Sequence, residues 1–480
     1  MNTKKVDVVV IGAGPVGLLC AYLGRLCGLE MLIIDKSDAP IKGGRADAFN
    51  ARTLQLLEIV DLFGCLYSKG RPCSTLSIWS EGKFISRQST WWDELEGCFH
   101  KHFMMLGQTH FERLLDKKLK DIDSSVLRNT SVCDIKVTNV GCTTTLSTLE
   151  TVQSKFVIGA DGSRSFVRNL FKVPFEVTYP QIIWAVLDGV VDTDFVKVPD
   201  IIIFQAETSD VAWIPREADL DRFYVQMDTK EFTIEQVVAK INRAMYPKTL
   251  RFKKVIWFSQ FSVKESVAEH YAVDEKVFFA GDACHIHSVN GGLGLNTGLG
   301  DAFNLIWRMN MVLRLGASRK LLSLYEQERK PVALGVVKTS AELVRSTKYS
   351  RDGTHAKDYT KIVEKKSGYI TGMGVCYEEH EYHGKRLLDF MEFNNEEQTY
   401  TRIYSLLDYK SFTLLIFGNL KKTLDLPAFI KTIHINSSTA PYTDKLLLVR
   451  PDSYIAAASS LTDTSPISAY LETLFPSSEE

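Results

Sequence analysis

Residues 6–36, VDVVVIGAGPVGLLCAYLGRLCGLEMLIIDK, contain an apolar strand, a glycine-rich turn, a helix of small residues and a second strand that ends on Asp35. In this pattern Gly12 permits a tight turn, Gly14 lets a pyrophosphate approach the N–H groups of the helix start, and Gly17 lets helix and strand pack closely. Asp35, about twenty residues further on, is placed to accept a hydrogen bond from a ribose hydroxyl. The stretch therefore predicts a dinucleotide-binding βαβ unit.

The same stretch also has features of a secretory signal or a membrane span, because Lys4 and Lys5 precede an uncharged run from Val8 to Gly24. That run is shorter than the roughly 20 residues of a spanning helix, and glycine and proline interrupt it. Its removal would also delete the nucleotide site. We therefore expect a mature, cytoplasmic chain without membrane insertion.

Composition narrows the class of protein. A chain of 480 residues exceeds the size at which one core keeps growing, so two or three domains are expected. The contents of 45% hydrophobic and 24% charged residues are ordinary for a globular protein. The net charge of -1 provides no attraction for nucleic acid. The nine cysteines form no CxxC pair, which favours reduced thiols over a disulfide framework or zinc site.

The middle of the chain divides by its hydrophobic pattern. Gln108 opens the amphipathic run QTHFERLLDKKL, which predicts a helix. Between residues 182 and 260, strand-like stretches alternate apolar and polar residues around one helical run, IEQVVAKINRAM. This alternation indicates a sheet-rich second domain. Residues 306–347 have a continuous helical pattern.

The last third of the chain predicts a small α/β unit. Charged residues 350–368 indicate a linker or an exposed helix. Beyond Leu387, the pattern predicts the strand FTLLIFG, the helix LPAFIKTI, two strands in KLLLVRPDSYIAA and the final helix SAYLETLF.

A second glycine-rich block spans Val277–Asn304, VFFAGDACHIHSVNGGLGLNTGLGDAFN. An apolar strand stops at Gly281-Asp282, a glycine-rich loop follows, and a helix is expected to begin near Asn296. This order places a carboxylate at a strand end and free N–H groups at a helix N-terminus, which suits the anionic N1–O2 edge of a reduced flavin. The alternative is a glycine-rich connector without a ligand.

Taken in order, GxGxxG at 12–17, GADGSRSFVR at 159–168 and the block at 277–304 resemble the motifs of the class A flavoprotein aromatic hydroxylases. The resemblance implies an α/β fold with a Rossmann-type FAD-binding domain, and a transient NADH or NADPH co-substrate. It implies that the three glycines of the turn contact FAD together with Asp35, Arg45, Gln108, Asp161, Asp282, Leu295 and Asn296, the last two through their backbone amides.

The phenol 2-monooxygenase branch of this class is similar in three places, which are GRADAFNARTL at 44–54, IPREADLDRFYVQ at 214–226 and GDACHIHS at 281–288. The resemblance implies that Asp47, Arg216 and Tyr224 line the substrate side. A carboxylate such as Asp47 can accept a phenolic proton, while Arg216 would stabilise negative charge and Tyr224 would bind the substrate oxygen. In the alternative interpretation, Arg216 and Tyr224 cap the sheet at strand ends.

The chain departs from this branch in three places. Ser288-Val289 replaces a frequent Pro-Pro pair, Gly292-Leu293-Gly294 replaces Gly-Gln-Gly, and Ser266 replaces a frequent arginine. Simple phenol therefore does not follow as the substrate. The prediction is an NAD(P)H- and O₂-dependent monooxygenase that hydroxylates a phenolic or polyketide-like aromatic. A flavin-dependent epoxidase or ring-modifying enzyme and a non-catalytic flavin-binding protein remain alternatives.

His285 and His287 invite a metal interpretation, with Cys284 adjacent and Asp282 nearby. No further His/Cys cluster in the sequence supplies the remaining ligands of a zinc site. We therefore predict no metal.

The predicted domains follow from the patterns and the resemblance. An FAD-binding domain comprises residues 1–180 and 265–345, and a substrate domain comprises residues 75–105 and 181–264. A linker spans 346–385, and a C-terminal domain at 386–480 resembles thioredoxin. Since that domain has no CxxC, we expect it to serve stability or a homodimer rather than thiol chemistry.

Overall fold

The computed structural model describes residues 4–177, 183–206, 209–262, 264–287, 291–347, 356–394, 399–420, 424–437 and 440–476. The strands within these residues are β1 (Lys4–Ile11), β2 (Met31–Ile34), β3 (Ala48–Phe49), β4 (Arg71–Cys73), β5 (Thr75–Ser80), β6 (Lys83–Gln88), β7 (Phe103–Met105), β8 (Val132–Thr138), β9 (Gly141–Leu146), β10 (Thr151–Gly159), β11 (Ile183–Thr193), β12 (Asp200–Ala206), β13 (Ser209–Pro215), β14 (Asp221–Met227), β15 (Leu250–Ser262), β16 (Ser266–Val267), β17 (Ala272–Val273), β18 (Val277–Phe279), β19 (His285–Ile286), β20 (Met391–Asn394), β21 (Thr399–Arg402), β22 (Thr413–Phe417), β23 (Lys431–Ile435), β24 (Lys445–Val449) and β25 (Ile455–Ser460).

The helices of the same ranges are α1 (Pro15–Leu26), α2 (Ala51–Ile59), α3 (Phe63–Tyr67), α4 (Gln108–Lys120), α5 (Phe166–Leu170), α6 (Ile234–Met245), α7 (Leu293–Arg314), α8 (Lys320–Thr347), α9 (Ala356–Lys365), α10 (Ser367–Thr371), α11 (Ile403–Leu406) and α12 (Ser465–Leu474). A 3₁₀ turn occupies Gly281–Ala283. No described helix is both long and apolar enough to cross a membrane.

The first sheet carries the predicted dinucleotide unit. Its strands lie in the order β17-β18-β10-β1-β2, and β9 joins β8 to β10. β1 runs parallel to both β2 and β10, and β10 runs parallel to β18. In this register Ile11 lies beside Gly159, and Gly159 lies beside Phe279. The ends of three parallel strands therefore meet at one edge, which is where ligands bind in such sheets.

The second sheet confirms the sheet-rich prediction for residues 182–260. Its order is β15-β11-β14-β13-β12-β5-β6, and its pairs are antiparallel except for β12 with β5. The predicted helix α6 begins with a capping box of Thr233 and Gln236, which satisfies two free N–H groups of the helix start. Phe223 and Val225 bury one face of β14 in a core with α6.

Two predicted helices differ from the structure. The continuous helix at 306–347 is interrupted, because α7 ends at Arg314, α8 begins at Lys320, and Gly316 adopts a φ of 74° between them, a conformation that ends helices. The predicted helix LPAFIKTI is wrong, since Lys431–Ile435 form β23 parallel to β22. Its β-branched residues favour a paired strand over a short helix.

The C-terminal part contains a four-stranded sheet in the order β23-β22-β24-β25, with α12 packed on β25. It joins the rest of the molecule through buried polar contacts. Arg52 of α2 donates to the Tyr404 hydroxyl at 2.9 Å and to the Asp452 carbonyl at 2.9 Å. The likeness of this part to thioredoxin and the predicted domain boundaries stay predictions.

Candidate active site

A cavity of about 1690 Å³ is lined by the strand ends of the first sheet and by one face of the second sheet. It brings together most of the predicted site residues, which are Gly12, Gly14, Asp35, Arg45, Asp47, Gln108, Asp161, Tyr224, Asp282 and Leu295. Three predicted residues, Gly17, Arg216 and Asn296, do not line it. The convergence of distant segments on one cavity makes it the candidate active site.

The glycine-rich turn has the space that the sequence predicts. A Cβ on Gly12, whose φ is 102°, would lie 2.4 Å from the Ala160 carbonyl oxygen, and one on Gly17 would lie 1.9 Å from the Gly12 oxygen. A Cβ on Gly14 would have no atom within 4 Å. Gly12 and Gly17 therefore permit close packing, whereas Gly14 leaves open cavity beside the first N–H groups of α1. A pyrophosphate requires that opening.

Asp35 and Gln108 both line the cavity, and hydrogen bonds to neighbouring protein groups orient their side chains. The Asp35 carboxylate accepts hydrogen bonds from the N–H groups of Ala13 at 2.6 Å and Ser37 at 2.7 Å. Gln108 Nε2 donates to Glu112 Oε1 at 2.7 Å. The Ala13 contact fixes Asp35 beside the glycine turn, where it can serve a ribose, and the Glu112 contact orients Gln108 at the cavity wall.

The carboxylates at the ends of β10 and β18 have capacity left for a ligand. Asp161 Oδ2 accepts from the Val167 N–H at 3.1 Å, while its buried Oδ1 has no hydrogen bond from the described residues. Asp282 is accessible from the cavity although protein surrounds it, and desolvation raises the pKa of its carboxyl group. Hydroxyl donors of a ligand would satisfy both groups.

The turn that carries Asp282 rests on a buried ionic cluster. Asp301 Oδ2 accepts from the Gly281 N–H at 3.0 Å and lies 2.6 Å from His285 Nε2, while Oδ1 accepts from Arg329 Nε at 2.8 Å. Burial raises the pKa of Asp301, but His285 and Arg329 outweigh it and hold that pKa below its usual value. The ligand atoms of Cys284, His285 and Asp301 lie within 4.8 Å of one another, and the ion pairs already engage the carboxylate.

Helix α7 begins earlier than the sequence predicts and points its first amides at the cavity. Its N-cap is Gly292, with a φ of 63°. The N–H groups of Leu293, Gly294 and Leu295 belong to the first turn and have no acceptor within the helix, and all three residues line the cavity. Such a helix start favours a partial negative charge. Ser288-Val289, which replaces the Pro-Pro pair frequent in the phenol 2-monooxygenase branch, lies outside the described residues.

The side chain of Asn296 is engaged in hydrogen bonds within the protein. Its Oδ1 accepts from Asn50 N at 2.9 Å and Thr53 Oγ1 at 2.8 Å, and its Nδ2 donates to the carbonyls of Ala48 at 2.9 Å and Gly292 at 2.8 Å. The side chain therefore ties α7 to the start of α2. A contact of the Asn296 amide with the cofactor stays a prediction.

The substrate side of the cavity contains an arginine that the sequence reasoning missed. Arg222 Nη1 lies 3.2 Å from Asp47 Oδ2 and donates to the Tyr224 hydroxyl at 3.2 Å. Asp47 Oδ2 has no hydrogen bond of good geometry from the described residues. Arg222 and Tyr224 are two apart on β14 and therefore share a face. The period-2 spacing of Arg222 and Tyr224 in DRFYVQ is the sequence feature that could have identified Arg222 as a cavity residue.

Burial sets the protonation of this cluster. Desolvation and then the Asp47 charge raise the pKa of Tyr224 to about 12. Desolvation opposes the charge of Arg222, but Asp47, Tyr224 and Asp188 outweigh it and raise the pKa of Arg222 well above its ordinary value. The phenol of Tyr224 and the cation of Arg222 therefore both persist across the physiological pH range.

Arg216, the predicted arginine, is buried away from the cavity lining. Its guanidinium donates to both oxygens of Glu217, at 2.9 and 2.8 Å, and to Asp188 Oδ2 at 3.4 Å. Glu217 Oε2 also accepts from the Gly107 N–H at 3.2 Å. Arg216 thus joins β13 to the segment before α4.

The donor set fits FAD. An open glycine turn suits the pyrophosphate, two carboxylates with spare capacity suit hydroxyls, and a helix start suits the anionic edge of the ring. A family model described as "FAD binding domain" matches residues 5–340. The chain belongs to this FAD-binding family.

Relatives agree with this assignment. A phenol 2-monooxygenase of Aspergillus fumigatus is 28% identical over 469 residues, covering 88% of this chain and 78% of the relative. A 3-hydroxybenzoate 4-monooxygenase of Comamonas testosteroni is 28% identical, covering 78% of this chain and 66% of the relative. An uncharacterised aromatic compound monooxygenase of Bacillus subtilis is 26% identical, covering 95% and 94%.

Solved structures agree on the fold. An anhydrotetracycline hydroxylase from Streptomyces rimosus has a TM-score of 0.77 at 24% identity, covering 98% of this chain and 99% of that one. The flavin-dependent monooxygenase PieE, solved with FAD and substrate, has a TM-score of 0.81 at 18% identity, covering 98% and 99%. The resemblance to class A flavoprotein hydroxylases is confirmed. The chain is an FAD-dependent monooxygenase with NADH or NADPH as co-substrate.

Proposed function

We propose that this monooxygenase hydroxylates a phenolic or polyketide-like aromatic ring at the cluster of Asp47, Arg222 and Tyr224. The observation that carries the proposal is the placement of this cluster on the same cavity as the start of α7. The relatives that act on phenol and 3-hydroxybenzoate support an aromatic substrate. When bound and reduced, FAD activates O₂ and supplies one oxygen atom to the ring.

The residues of the cluster have separate roles in the proposal. Asp47 accepts the phenolic proton, which makes the ring more electron-rich and more reactive toward the incoming oxygen atom. Tyr224 accepts from Arg222 and keeps its own proton, so it donates a hydrogen bond to the phenolate oxygen. Arg222 balances the added negative charge.

The surrounding elements orient the cluster. Arg222 Nη1 also donates to the Arg45 carbonyl, which fixes the segment before Asp47. The Trp257 ring lies 5.5 Å from the guanidinium carbon of Arg222 and so close to Gly44 that a Cβ there would lie 2.3 Å from it. This packing positions the segment that carries Asp47 against β14.

The decisive experiment uses ¹⁸O₂ and the Asp47→Asn variant of the FAD-loaded protein. We expect one labelled oxygen atom in the product of the wild type. Loss of the proton acceptor should lower kcat by about a hundredfold or more while the bound-flavin spectrum stays unchanged. Asp93→Asn, at a carboxylate that is 67% exposed, is the matched control. Unlabelled product, or full activity of Asp47→Asn, would reject the proposal.

We also infer that the chain works in the cytoplasm as a homodimer. The nine cysteines are all free, which supports a reducing compartment. Sedimentation of the purified protein measures the oligomeric state, and a monomer at micromolar concentration would contradict the dimer.

A further inference from the structure

The cavity-lining face of the second sheet changes from polar to apolar across its strands. In register, Tyr224 of β14 lies beside Ala212 of β13, and Ala212 lies beside Ile203 of β12. In the neighbouring row, Arg222 lies beside Ile214. All five side chains line the cavity. From the proposed phenol-binding cluster toward β12, both rows therefore continue with aliphatic side chains.

Other elements close this apolar end. Trp91, Leu293, Leu343 and Ile370 line the cavity and belong to the same hydrophobic cluster as Ile203. We call the space between them and the side chains of Ile203, Ala212 and Ile214 the apolar compartment. Neighbouring strands are about 4.8 Å apart, so β14 to β12 spans roughly 10 Å. That distance accommodates a second ring beside the phenol.

No charged side chain is present among the described residues that form the apolar compartment. Arg222, the nearest cation on the sheet, already donates to both oxygens of Asp188, at 2.6 and 2.7 Å. Lys36 and Lys42 line the cavity from the loop after β2, and Lys264 follows β15, on the other side of β14. A carboxylate placed in the compartment would lose its hydration without gaining a cationic side chain as a partner.

We propose that the substrate is an uncharged phenol with a bulky apolar substituent that occupies the apolar compartment. The phenolic hydroxyl lies at Asp47 and Tyr224, so this inference rests on the proposed function. Ala212 is the specificity-determining residue, because its small side chain leaves the passage between Tyr224 and Ile203 open.

The test measures binding to the full-length, FAD-loaded protein without NAD(P)H, through the change in flavin absorbance. The probes are phenol, 4-phenylphenol and 4′-hydroxybiphenyl-4-carboxylate, the last two differing only in the carboxylate. We expect 4-phenylphenol to bind at least tenfold more tightly than phenol. The carboxylate should weaken binding at least tenfold relative to 4-phenylphenol.

Two variants locate the effect. Ala212→Phe should abolish the preference for 4-phenylphenol while the bound-flavin spectrum stays unchanged, which shows that the protein is folded. Ala212→Leu replaces it if Ala212→Phe does not fold. Val255→Phe, at an exposed residue of β15, is the matched control and should retain the preference. Equal binding of the two biphenyls, or an unchanged preference in the Ala212 variants, would overturn the inference.

Failure of the proposed function has a different signature. If 4-phenylphenol binds tightly but is not hydroxylated when NAD(P)H and O₂ are added, the proposed function fails and the compartment stands. If phenols are hydroxylated without any preference for the apolar substituent, the proposed function stands and the compartment inference fails.

Discussion

Arg222 and Arg216 are both buried arginines near the substrate side, but only Arg222 lines the cavity. Arg222 holds Asp188 with two hydrogen bonds and contacts Asp47 and Tyr224. A lysine cannot reproduce such a forked geometry. Arg222→Lys should therefore lower kcat/KM for a phenol at least about tenfold, which corresponds to about 1.4 kcal/mol.

Arg216→Lys is the matched comparison, because it changes the same group without touching the cavity. It should change kcat/KM by less than about threefold, with its effect confined to thermal stability. Steady-state kinetics and melting curves of both variants check the assignment. If Arg216→Lys is the more damaging variant for catalysis, the cavity arginine has been misidentified.

The glycine turn between β1 and α1 has two roles, since Gly14 leaves room for the cofactor and Gly17 permits close backbone packing. At Gly14 a methyl group would enter open cavity, so Gly14→Ala should lower FAD affinity about tenfold and shift the melting temperature of the apo-protein by less than about 2 °C. At Gly17 the methyl group would collide with the Gly12 carbonyl. Gly17→Ala should therefore destabilise the apo-protein by about 1–3 kcal/mol.

Both quantities are measurable on the same preparations, by FAD fluorescence titration and by unfolding of the apo-protein. Gly316→Ala provides a control at a glycine outside the nucleotide turn, which has a φ of 74° and should lower stability without changing FAD affinity. Equal loss of stability in Gly14→Ala and Gly17→Ala would contradict the distinction.

Glu328 of α8 joins the C-terminal sheet to α7. Its carboxylate accepts from Arg450 Nη1 at 2.7 Å and Nη2 at 2.8 Å, and lies 2.6 Å from Arg308 Nη2. Burial raises the pKa of Glu328, but the two arginines outweigh it and hold the pKa well below the usual 4.5. The ionised pair therefore stabilises the fold above pH 4.5 and loses that contribution as the pH falls below it.

The Glu328→Gln variant tests this linkage. It should lower the free energy of unfolding near pH 6 by about 3–5 kcal/mol, because Arg308 loses its carboxylate partner and Arg450 keeps only Asp452. The difference from the wild type should then shrink between pH 4.5 and pH 3, as measured by urea unfolding at each pH. Glu30→Gln, at an exposed carboxylate, is the control. A difference that does not depend on pH would contradict the assignment.

Local patterns were sufficient for much of the fold. The dinucleotide unit, the second sheet, α4 and α6 all lie where hydrophobic periodicity and glycine spacing predict them. The predictions were wrong where neighbours decide the conformation. Lys431–Ile435 pair with β22 as a strand. A short isolated helix is only marginally stable, whereas a partner strand satisfies the backbone hydrogen bonds of this segment.

The candidate site shows the same division. Gly12 and Gly17 are required by backbone geometry and close packing, and Gly14 leaves room for the ligand. All three are visible in a linear chain as a fixed spacing, and so are the carboxylates Asp35, Asp161 and Asp282 that follow the strands. The tertiary structure decides that Arg222, and not Arg216, lines the cavity. It also decides that the Asn296 side chain bonds to Ala48, Asn50 and Thr53. Cofactor class and parallel-strand architecture are thus properties of local spacing, whereas the apolar compartment exists only because β12, β13 and α7 meet. Contacts between segments distant in the chain carry no periodicity that a sequence can display.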